Sequence, residues 1–173
     1  MGDPKKRRKM YEKPLRPWDT TRLEKEREII SKPVQSAPLE ILANDLAQGY
    51  IDIERTPAGI KFILFGDGLF DSGSASIINR ERIDRVSEAI KQIKGAIKVT
   101  GHTDNIPIRT IQFPSNQHLS KKRAESVVEL LQEHIKNREI KAEGMGALQP
   151  LFSNTKPLDQ AKNRRVEVLL FSN

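Results

Sequence analysis

The sequence predicts an α+β two-layer sandwich: a small mixed β-sheet covered on one face by two main helices, preceded by an extended basic N-terminal segment. Three observations carry this. The apolar runs Ile60–Phe65 and Val166–Phe171 are strand-sized and each broken by one charge, far short of the roughly 20 residues a membrane-spanning helix needs. Two longer stretches repeat apolar residues at helical spacing: Ile83, Val86, Ile90 and Ile93, then Ala124, Val127, Val128, Leu131 and Ile135. The segments succeed one another as β, β, α, β, α, β, β, and two helices of about 15 residues suffice to cover one face of such a sheet.

Residues 1–36 are expected to be a flexible basic linker or tag. They hold prolines at 4, 14, 17 and 33 and no lasting apolar period. A short charged helix from Thr20 to Ile30, capped by Thr20 or Thr21, is the one regular element expected there. The run Lys5–Lys9 resembles a nuclear import signal or a phosphate-binding arm; a solvated or membrane-adjacent basic stretch is the plainer reading. No apolar segment of about 7–15 residues follows it, as a secretory leader would require. With its Met1-Gly2 opening, the chain is expected to be a fragment of a longer protein.

Residues 37–173 are expected to form the folded domain. Leu39, Leu42 and Leu46 fall at helical spacing, with Gly49 to end the helix. Tyr50–Arg55 and Ile60–Phe65 alternate on either side of Thr56-Pro57-Ala58-Gly59, the pattern of a hairpin. A glycine-rich loop, residues 66–75, leads to a helix capped by Asn79 and stopped by Gly95. The strand Ala96–Thr100 runs directly into Gly101-His102-Thr103-Asp104. A long loop from Asn105 to His118 precedes a second helix, opened by Ser120. Ile140–Glu143 is a strand, Gly144–Lys162 an irregular loop, and Arg164–Phe171 the last strand.

Composition excludes several classes of function. The net charge of +7 invites a nucleic-acid reading, but residues 1–35 hold 11 Lys/Arg against 6 Asp/Glu and the other 138 hold 19 against 17. The excess therefore sits in the tail, and no nucleic acid is expected as a partner of the folded part. The absence of cysteine rules out disulfides, zinc–thiolate sites and cysteine nucleophiles. His102, His118 and His134 have no metal-ligand spacing, so no metal or cofactor is expected. Ser72, Ser74, Ser76, Ser115 and Ser120 lack a nucleophile-elbow context. Asp67 and Asp71 sit in a Gly/Ser loop, where carboxylates usually form turns. The chain is not expected to be an enzyme.

The chemistry concentrates in the strand end Val99–Asp104 and the helix start Leu119–Ala124, which periodicity alone does not bring together. Polar groups just past a strand's C-terminal end stand beside helix N-termini, where free N–H groups and the positive dipole end favour a carboxylate. Asp104 adds a negative charge and Arg123 a planar cationic fork. The pair suits a zwitterion, with an ammonium near Asp104 and a carboxylate held by Arg123.

Gly101-His102-Thr103-Asp104, Asn116-x-x-Leu119-Ser120-x-x-Arg123-Ala124-x-x-Val127, Gly144-x-Gly146-x-x-x-Pro150 and Asn163-Arg164-Arg165-Val166-Glu167-Val168 occur in this order. The set resembles the OmpA-like peptidoglycan-binding domain over about residues 50–173. The resemblance implies non-enzymatic capture of the diaminopimelate residue of the peptidoglycan stem peptide. The family's aspartate falls on Asp104 and its helix arginine on Arg123, with Thr103, Asn116, Leu119 and Arg165 shaping the pocket. One arginine of the Arg164-Arg165 pair is expected to face that pocket and the other solvent.

Two features refine this. The loop Asn105–Asn116 is longer than in most members and is similar to flagellar stator proteins of the MotB kind and to TssL/IcmH-type anchors of type VI secretion. The Gly66-Asp67-Gly68 lead-in and the segment from Pro38 to Gly49 are more similar to the secretion anchors. Either subfamily implies the periplasmic end of an inner-membrane-anchored, multimeric envelope complex of Gram-negative bacteria, fixed to the wall, whose membrane helix lies outside this chain. An assembly module making only protein–protein contacts is the alternative. Both subfamilies often carry a tryptophan where this chain has Gln117, and a flat aromatic there would stack on the ligand or brace the loop.

Overall fold

The computed structural model describes residues 39–172; the expected linker and its Thr20–Ile30 helix lie outside the described residues. The elements are α1 (Ala43–Ala47), β1 (Ile51–Thr56), β2 (Gly59–Phe65), α2 (Arg80–Lys91), β3 (Ile97–His102), α3 (Asn116–His134), β4 (Ile140–Gly144), α4 (Pro157–Asn163) and β5 (Arg165–Phe171). The five strands form one mixed sheet in the order β1-β2-β5-β3-β4. β1 and β2 make the expected hairpin, with Thr56 opposite Gly59 across the Pro57-Ala58 turn. The final strand β5 inserts antiparallel between β2 and β3. β3, α3 and β4 form a crossover unit with parallel strands.

Strand alternation decides which face is covered. Ile51, Ile53, Phe62, Leu64, Val166, Val168, Leu170, Ile97 and Val99 are all buried and share one core with Ile83, Val86 and Ile90 of α2 and Ala124, Val127 and Leu131 of α3. Burying each large aliphatic side chain of this set contributes about 1.5–3 kcal/mol. Asn79 caps α2 by accepting from the Arg82 N–H (3.1 Å). α1 is tied to α2 by Asp45, whose buried carboxylate accepts two bonds from Arg85 (2.7 and 2.8 Å).

Two expectations are corrected. α3 begins one turn before Ser120: Ser115 is its N-cap, accepting from the His118 N–H (3.3 Å). Ser120 instead faces inward, fully buried, and its hydroxyl accepts from the Gly146 N–H (2.9 Å). The expected irregular loop Gly144–Lys162 contains α4, which starts on Pro157 with Asp159 in its first turn. Proline at the first helical position followed by an acidic residue is a helix-start signal.

Candidate functional site

The covered face ends, at the C-terminal tip of β3, in a cleft of about 380 Å3 lined by loops following β2 and β3, by the start of α3, and by Arg164. Asp104 lies two residues beyond the end of β3 and is buried (6% exposed). One of its oxygens accepts from the Ile106 N–H (3.0 Å), and the other accepts from Arg164 Nη1 (2.7 Å). Thr103, also buried, donates its hydroxyl to the Asp104 carbonyl (2.8 Å). Asn116, at the first position of α3, donates to the Ile106 carbonyl (2.9 Å) and so fixes the chain just past Asp104. Leu119, one turn on, is buried and lines the cleft floor beside Phe70.

Arg123 stands about two turns into α3 and is 5% exposed. Its Nε donates to the Ser74 carbonyl (2.7 Å) and its Nη2 to the Asp71 carbonyl (3.2 Å), while the guanidinium lies over the Phe70 ring at 4.9 Å. These contacts hold the fork in place and tie the glycine-rich loop to the helix. Burial, and then the neighbouring Arg164, lower the Arg123 guanidinium to about 10; it remains charged at neutral pH. No carboxylate of the described residues lies within ion-pair distance of it.

Asp67 completes the charge pattern. It accepts from Arg164 Nη2 at 3.3 Å, and the Gly66 N–H donates to the Arg164 carbonyl (2.7 Å), which pins this loop beside the arginine. Burial works against the charge on Arg164, but its bonds to Asp104 and Asp67 outweigh it and raise its pKa. The cleft thus presents two carboxylates and two guanidiniums.

The structure brings Thr103, Asp104, Asn116, Leu119 and Arg123 around one cleft, and leaves Arg165 outside it. Arg165 is the first residue of β5, opposite His102 in β3, and points to the other side of the sheet. There it is 3% exposed, donating to the carbonyls of Asn163 (3.1 Å) and Gln149 (2.9 Å) and lying 3.6 Å from Glu167. The cleft arginine is Arg164, and neither arginine of the pair is simply a solvent-facing one. Strand alternation from Glu167 back to Arg165 is the signal that assigns them. Asp67, expected to be a turn former, lines the cleft on Arg164.

Behind the cleft, His102 Nε2 lies 2.9 Å from a carboxylate oxygen of Glu167. Burial alone would raise the Glu167 carboxyl; His102, Arg165 and Lys61 outweigh it and hold the group down to about 2. Gln117 is also outside the cleft. Its side chain donates to the Gly144 carbonyl and braces α3 against β4. Among the described residues no group of His and acidic side chains could hold a metal.

Comparison with known proteins agrees with this arrangement. The chain is 32% identical over 143 residues to motility protein B of Bacillus subtilis, covering 79% of this chain and 54% of that protein. It is 32% identical over 117 residues to the peptidoglycan-binding protein ArfA of Mycobacterium tuberculosis, covering 65% of this chain and 35% of that one. It therefore spans about half the length, or less, of these curated relatives. Among solved structures, the cell wall anchor of the T6SS from Pseudomonas aeruginosa superposes with a TM-score of 0.73 at 34% identity, covering 78% of this chain and 96% of that one. A MotB-like protein from Desulfovibrio vulgaris shares the fold (TM-score 0.72, 23% identity, 85% and 98% covered). Residues 69–164, which carry most of the glycine-rich loop, Asp104, α3 and Arg164, match the model of the OmpA family, and the chain belongs to that family.

Proposed function

We propose that this chain binds peptidoglycan without altering it, taking the diaminopimelate residue of the stem peptide into the cleft, and so anchors an envelope complex to the cell wall. The observation that carries this is the convergence of Asp67, Asp104, Arg123 and Arg164 around one cleft. The free end of diaminopimelate carries a carboxylate and an ammonium on one carbon, and paired charges of both signs suit it. Binding rather than reaction is favoured because both carboxylates already hold a guanidinium, so neither is poised as a general base. Similarity to the mycobacterial peptidoglycan-binding protein supports wall binding, and similarity to the wall anchor of type VI secretion supports the anchoring role. Placement in the periplasm, on a membrane-anchored and multimeric complex, follows from that reading. Among the described residues no helix is long and apolar enough to cross a membrane.

A flagellar stator is the second reading, favoured by the match to motility protein B over 79% of this chain. Both machines need the same wall contact. The test is co-sedimentation of the wild type and Arg123→Ala with purified diaminopimelate-type sacculi at moderate salt. The wild type is expected to pellet and the variant to lose about tenfold or more in affinity, the effect of removing a charge-assisted contact. A wild type that stays in the supernatant would replace wall binding with an assembly role; equal pelleting of both proteins would remove Arg123 from the site.

A further inference from the structure

The four charges of the cleft are not equally available. Arg164 holds both acids: its Nη1 is 2.7 Å from Asp104 and its Nη2 is 3.3 Å from Asp67. The second oxygen of Asp104 is occupied by the Ile106 N–H. Arg123 is in the opposite condition. Its Nε and Nη2 are spent on loop carbonyls, which do not neutralise it, and its Nη1 makes no hydrogen bond among the described residues. Asp104 and Asp67 act on it only from a distance; a buried cation with no carboxylate in contact is costly, and an arriving anion relieves that cost. An arriving ammonium gains less, because it must share carboxylates with a guanidinium already seated on them.

Resting on the peptidoglycan reading above, we infer that Arg164 occupies the ammonium position of the cleft and thereby makes the free carboxylate of diaminopimelate the group on which this site discriminates. The cleft then rejects a stem peptide whose diaminopimelate carboxylate is a carboxamide. It tolerates one whose side-chain amine is acylated. Wall chemistry that amidates this carboxylate would release the protein, and acylation of the amine would not.

The geometry gives Arg164 a positioning role as well. Its backbone carbonyl accepts from the Gly66 N–H while its side chain reaches Asp67 and Asp104, so one residue ties the loop after β2 to the loop after β3. A purely structural Arg164 would, when removed, weaken every ligand alike. A specificity-setting one changes the order of preference.

The experiment is calorimetric titration of the full chain with three synthetic stem tripeptides: diaminopimelate unmodified, with its side-chain carboxylate amidated, and with its side-chain amine acetylated. For the wild type, amidation is expected to weaken binding about tenfold or more and acetylation only about two- to threefold, the difference between losing a charge-assisted bond and a shared one. In Arg164→Gln, with Asp104 and Asp67 released, acetylation is expected to become the costlier change. Equal sensitivity to the two modifications in the wild type, or an unaltered order in the variant, overturns the inference while leaving wall binding intact. No heat from the unmodified peptide overturns the peptidoglycan reading itself.

Discussion

Gly101 of β3 lies directly beneath Ser120 of α3, so close that a β-carbon on the glycine would fall 2.8 Å from the Ser120 carbonyl carbon and closer still to its oxygen. Gly144 of β4 stands in the same relation to Lys121, with a β-carbon 2.7 Å from that residue's Cα. Two glycines on adjacent parallel strands thus let α3 settle onto the sheet just where it begins, and that contact sets the height at which Arg123 enters the cleft that Asp104 also lines.

Gly101→Ala therefore forces α3 off the strand. The backbone is the obstacle, so no rotamer change relieves it, and the expected cost is about 1–3 kcal/mol of stability. A urea midpoint lowered with unchanged slope is the expected observation, with ligand affinity reduced in the folded fraction.

Glu167 makes stability depend on acid. Its carboxyl titrates at about 2 in the folded protein against an ordinary 4.5, so the folded state favours the ionised form. That contribution is fully present above about pH 4.5 and is lost as pH falls towards 2; the size of the shift corresponds to about 3 kcal/mol. In Glu167→Gln, thermal melting followed from pH 6 to pH 3 is expected to show a lower starting Tm and a shallower decline than the parent. A decline equal to the parent's would mean that other carboxyls carry the acid sensitivity.

Asn163 is fully buried at the end of α4, accepts from the N–H groups of Leu151 (2.8 Å) and Phe152 (2.9 Å), and donates to the Phe152 carbonyl (2.9 Å). Asn163→Ala removes these partners together, at an expected cost of about 1–3 kcal/mol. Hydrogen exchange should quicken first at Leu151 and Phe152, ahead of the sheet.

Gln117→Ala is expected to change peptide affinity by less than about twofold, because the side chain braces β4 and does not reach the cleft. A tenfold loss in a titration would place residue 117 on the ligand path and contradict the geometry.

The sheet, the hairpin and both covering helices were legible in the sequence because apolar alternation and helical spacing report burial directly. The start of α3 was misjudged because Ser115 and Ser120 are equally good caps by type, and only the buried Ser120–Gly146 contact decides between them. α4 is short and shows no long apolar period, so Pro157 and Asp159 were its only marks. At the site, Asp104 and Arg123 were legible through their motifs. The Arg164–Asp67 pairing was not, since the residues are 97 positions apart and meet only because β5 inserts beside β2. The departure at Gln117 looked like a site residue because α3 begins beside the cleft, yet successive helical residues point about 100° apart.

α1 and the start of β1 lie at the same end of the sheet as the cleft, since Ile51 pairs with Leu64 and Phe65 pairs with Arg165. Tension applied between residue 39 and a ligand in the cleft would thus pull on neighbouring strand ends, the direction in which an edge strand peels one hydrogen bond at a time. The two-bond clamp of Asp45 on Arg85 stands ahead of that first pair. The place of Asp45 in the chain, between residue 39 and Ile51, puts that ion pair ahead of the first pair of the edge strand.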